Sequence, residues 1–120
     1  MKVLNKIKKI IVAIIIATFI FITTTLAQGS ETNLNQNQAL MFPNESYLCN
    51  SYLKELDKQG RLMIMVNQDR DYVYLKDIVN SLIYYNREAT VECQSEQVQD
   101  YLKQSRQVLI KLKDNLSKVK

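Results

Sequence analysis

The chain has no histidine and no tryptophan, and only two glycines, one proline and two cysteines among 120 residues. Without imidazole it lacks the commonest general base, metal ligand and near-neutral pH switch. Cys49 and Cys93 stand too far apart for a Cys-x-x-Cys redox or zinc motif, so no metal and no redox centre is expected. Two glycines, Gly29 and Gly60, cannot build a phosphate-cradling loop. Asp69 and Asp71 hint at a calcium loop. However, Tyr72 and Tyr74 stand where further oxygen ligands would be required, and the pair reads as helix capping. No constellation points to a reaction or a cofactor, and the expectation is a non-enzymatic protein.

What is present is concentrated at the N-terminus. Lys2, Lys6, Lys8 and Lys9 precede an apolar run from Ile10 to Ile22 broken only by Thr18. Thr25-Leu26-Ala27 then places small residues where a signal peptidase cuts. This is the layout of a secretory signal peptide over residues 1–27, with processing before Gln28. The alternative is a retained single-pass anchor: Ile10 to Ala27 forms about 27 Å of helix, close to a ~30 Å hydrocarbon core. Either way the lysines stay cytoplasmic and the remainder is exported, to the periplasm or the medium.

Processing changes the charge. The whole chain carries 16 Lys and Arg against 12 Asp and Glu. Four of those cations and no acid lie before residue 28, so the exported part is neutral. Phosphate affinity needs a concentrated positive field, which excludes nucleic acid as a partner on charge grounds. Membrane association depends on residues 1–27 staying attached.

In an oxidising compartment an even pair of cysteines is expected to form one disulfide. A Cys49–Cys93 bond closes a loop of about 45 residues, worth roughly 4 kcal/mol in the chain-entropy model. That matters in a chain with a modest core.

Residues 28–43 read as a flexible polar leader and residues 44–120 as a helical domain. Asn44 is an expected N-cap, with Glu45 in the first turn of a helix over residues 45–59. Gly60 falls just past its C-terminus. Residues 61–68 fit a short helix, an extension of the first one, or a buried extended run. Asp69 or Asp71 opens a second helix to residue 86, followed by a turn at 86–89 and a cap at Thr90. Val91, Ser95, Val98, Leu102, Ser105, Leu109, Leu112, Leu116 and Val119 form a heptad seam on a third helix. That seam serves the core of a small bundle or an intermolecular coiled coil. The fold expected is all-α: a small three-helix bundle stapled by one disulfide, after an N-terminal apolar helix. Met63, Met65, Tyr72, Tyr74, Tyr84 and Tyr85 are adaptable or amphipathic side chains and form the candidate interaction surface, with a core-border role as the alternative.

The signal peptide, the turn Ser46-Tyr47-Leu48-Cys49-Asn50-Ser51-Tyr52-Leu53, the distant second cysteine and the lysine-ended helix over 94–120 together form a pattern. That layout resembles the HdeA/HdeB family of periplasmic acid-stress chaperones. The resemblance implies a dormant folded protein that exposes apolar surface in acid and holds unfolded client proteins. Composition is compatible, since protonating twelve carboxylates drives the exported part toward +12 and self-repulsion loosens it. The other expectation is an exported interaction module: an inhibitor, an immunity factor or a tethered subunit of an envelope assembly. Nothing in the sequence sets the oligomeric state.

Overall fold

The computed structural model describes residues 2–28 and 42–119. Among them the chain is all-α: α1 (Lys2–Gln28), α2 (Tyr47–Gln68), α3 (Tyr72–Glu92) and α4 (Glu96–Leu116). The polar leader expected over residues 28–43 lies almost wholly outside the described residues. The disulfide joins Cys49 to Cys93, with Cα atoms 4.9 Å apart and both residues buried.

Helix α2 is longer than the glycine suggested. Its inward positions Cys49, Leu53, Leu56, Gly60, Met63 and Val66 keep helical spacing straight through Gly60, and all are buried. The apolar stripe therefore carries the helix through residues 61–68, against the local cost of a mid-helix glycine. Its N-cap is Ser46, not Asn44; the Ser46 hydroxyl accepts from the Cys49 N–H at 3.0 Å. The left-handed residue that ends it is Arg70, at φ 58°. The N–H of Asp71 then returns to the Val66 carbonyl.

Asp71 caps α3, accepting from the Tyr74 N–H. The turn expected at 86–89 is helical, and α3 continues to Glu92. The reason is Asn86, which is fully buried and donates to the Leu102 carbonyl at 3.0 Å and the Ser105 hydroxyl at 2.8 Å. Arg106 donates in turn to Asn86 Oδ1 and to the Thr90 hydroxyl. Thr90 thus lies inside α3 and accepts from α4 rather than capping a helix. Ser95 takes the N-cap position of α4, and the exposed Val91 falls outside the seam. From Val98 to Val119 every seam position is buried.

Short turns make α2, α3 and α4 successively antiparallel. Helix α1 completes a four-cornered bundle beside α2 and α4, with no close backbone approach to α3. Lys9 sits 5.4 Å from the centroid of Tyr72 at one end, and Thr23 meets Tyr101 near the start of α4. Helix α1 therefore runs antiparallel to both α2 and α4. Those two helices lie on the opposite diagonal and do not approach each other.

Candidate interaction surface

The site is built where α1 meets α2 and α4. The inward side chains of α1 are Val12, Ile15, Ile16, Phe19, Thr23 and Leu26, all buried. Within that set Val12, Ile16, Phe19, Thr23 and Leu26 alternate by four and three, which is a heptad seam. Two features on the receiving side match it. A Cβ on Gly60 would lie 2.9 Å from the Phe19 ring, so the missing side chain is the room that ring occupies. Four residues along α1, the Thr23 hydroxyl lies 3.1 Å from the Tyr101 hydroxyl. Tyr101 is only 4 % exposed. Burial pushes its phenol up to about 12, against a smaller downward effect of the Thr23 hydrogen bond.

The outer face of α1 is as apolar as the inner one. Val3, Leu4, Ile7, Ile10, Ile11, Ile14 and Phe21 are exposed, Phe21 by 72 %. The hydroxyls of Thr18, Thr24 and Thr25 donate to carbonyls four residues back, so these polar groups are satisfied within the helix. Helix α1 is long and apolar enough to cross a membrane. Seven large apolar side chains on one helix face are a poor surface for water. Open crevices of about 230 and 280 Å³ also flank α1, toward α4 and α2 respectively.

The end of the groove nearest Tyr101 is fastened. Asn50 holds Phe42 through both its N–H, accepted by Asn50 Oδ1 at 2.8 Å, and its carbonyl, which accepts from Nδ2 at 3.1 Å. That clasp aims Glu45 across at the start of α4. The carboxylate accepts the backbone N–H groups of Gln94 (2.9 Å) and Ser95 (2.8 Å). Glu45 thus supplies the cap that the Ser95 side chain does not. Glu45, Cys49 and Cys93 bring their potential ligand atoms within 4.8 Å of one another. The two sulfurs are bonded to each other and the carboxylate is engaged by backbone, so the group is a structural clasp rather than a metal donor set.

Comparison with protein-family models, curated proteins and solved structures returns no match.

The six residues expected to form an interaction surface do not make one patch. Met63 is completely buried in the core, because it falls on the inward stripe of α2. Met65 is exposed near the end of α2, while Tyr72 is half-buried and Tyr74 exposed at the start of α3. Tyr84 and Tyr85 sit near the disulfide end, their rings edge to face at 5.4 Å, with Tyr52 6.4 Å from Tyr85. The sequence pattern gives Gly60 and Glu45 other roles, a helix end and a first-turn charge, and does not single out Tyr101. Gly60 is visible in the sequence as a glycine inside an otherwise continuous stripe.

Proposed function

We propose that this chain is a small exported, non-catalytic protein that binds other proteins through the apolar groove between α2 and α4. In this reading residues 1–27 are a targeting segment removed after Ala27, and the disulfide-stapled α2–α4 unit is the working part. The observation that carries it is the covering of the groove by α1, the one described helix with a signal-like sequence. Removal of that helix uncovers apolar positions on two helices that do not touch each other, and exposed apolar grooves are where partner helices dock. The disulfide supports an oxidising compartment.

A second reading, the acid-activated holdase, is favoured by the charge balance beyond residue 27. Twelve carboxylates offset twelve cations there at neutral pH, and protonation leaves the cations unopposed.

The test is a light-scattering assay with a denatured client protein and the chain recovered after export, run at pH 7 and below pH 3. Suppression of client aggregation at both values supports the groove as a standing binding site. Suppression confined to low pH supports the holdase. No suppression at either pH, with no rise in apolar dye binding, refutes both.

A further inference from the structure

Of the other clusters, the Lys6–Lys9–Arg70 crevice between α1 and the α2–α3 turn is lost whenever α1 leaves. The Lys76–Lys113 pocket has buried Val79 and Leu116 as its floor and exposed or half-buried polar side chains around them, and no second feature there points to a ligand. The groove itself carries more, because its occupant in the structure records the shape it accepts.

We propose that, with residues 1–27 gone, the α2/α4 groove takes an apolar α-helix of another protein, antiparallel to α2 and α4, carrying a bulky apolar residue over Gly60 and a serine or threonine four positions later against Tyr101. This rests on the processing reading above and names the chemistry of the partner. The direction follows from α1, which enters antiparallel to both neighbours. The bulky position follows from Gly60, where a Cβ would come within 2.9 Å of Phe19. A mid-helix glycine is unfavourable for α2 itself, so its use is in what approaches it. The hydroxyl position follows from the 3.1 Å Thr23–Tyr101 bond inside an otherwise apolar contact. The remaining contacts lie seven and three residues before the bulky position and seven after it, matching Val12, Ile16 and Leu26. The partner is therefore a helix resembling a targeting or membrane-spanning segment, recognised by a spaced pair rather than by apolarity alone. The crevices on both flanks of α1 leave room for side chains larger than its own.

The chain is expressed in full, recovered after export, and its N-terminus sequenced. It is then titrated with a synthetic peptide of residues 5–28, which Lys6, Lys8 and Lys9 help keep in solution. Saturable binding is expected, with alkaline titration of one tyrosine moving upward on binding and no such movement in Tyr101→Phe. Phe19→Ala in the peptide, or Gly60→Leu in the protein, should each weaken binding at least tenfold. The two combined should regain most of the loss, because the new leucine fills the space the phenylalanine vacated. Thr23→Val in the peptide should weaken binding severalfold. Circular dichroism of Gly60→Leu should match the parent, since leucine suits a helix and nothing then lies above it. Peptide binding indifferent to both substitutions overturns the proposal, as does a groove closed by self-association that the peptide does not reverse. Retention of Met1 overturns it together with the processing reading. A processed protein that holds clients but ignores the peptide overturns this inference alone.

Discussion

Asn86 is the residue on which the α3–α4 pairing turns. Its side chain serves two acceptors on α4 and receives Arg106, so every polar group in that layer is answered. Truncation strands several partners at once. Asn86→Ala is expected to cost about 2–3 kcal/mol in chemical denaturation, more than Ser105→Ala, which removes one acceptor. Arg70 offers the opposite sign. It holds the left-handed position past α2 at a steric cost a glycine does not incur. Arg70→Gly should therefore stabilise the fold by a few tenths to about 1 kcal/mol, seen as a higher Tm. Tyr101 gives a pH signature of the four-helix form. Its folded-state phenol is pushed by burial above the ordinary value of 10.0, to about 12. The neutral form is the one the fold favours, so its contribution is whole below pH 10 and is lost as pH rises through about 12. Alkaline unfolding of the unprocessed chain should show a fall on the order of 2–3 kcal/mol across that window, absent in Tyr101→Phe.

At the scale of elements, periodicity spoke clearly and punctuation did not. The seam from Val98 to Val119 reads directly as a buried helix face, and the structure buries each of its positions. Asp71 was one of two expected caps and is the cap observed. Two of the errors came from residues that usually end helices. Gly60 sits in mid-helix because a neighbouring ring needs its space. Asn86 sits in mid-helix because its amide is answered from another helix. Neither partner is near in sequence, so no local pattern reveals them. Glu45 was assigned to its own helix and caps a different one, for the same reason. Glu45→Gln keeps a single acceptor without the charge. It should cost about 1 kcal/mol, with early hydrogen exchange confined to the first turn of α4. Helix α1 was legible as an apolar element. Its second identity, a packing face fitted to α2 and α4, appears only when the bundle is assembled.

For the whole molecule, one covalent bond and one clasp lie at the same end. The Cys49–Cys93 bond spans 44 residues and ties the start of α2 to the α3–α4 junction. Reduction, or Cys49→Ser with Cys93→Ser, is expected to lower stability by about 4 kcal/mol in the chain-entropy model, measured as a shift in denaturation midpoint. The distal end, where α2 passes into α3 and α4 terminates, has no described counterpart to that fastening. The described ion pairs, Asp57–Arg61 and Asp114–Lys118, are local contacts four residues apart and tie no two helices together. An exported unit fastened at one end behaves like a cantilever: displacement is smallest at the root and grows with distance along it. Amide exchange should then form a gradient along α2 and α4, slowest beside the cysteines and fastest at Gln68 and Leu116. Any helix entering the groove would meet a stiff end and a compliant end, and would dock from the compliant one.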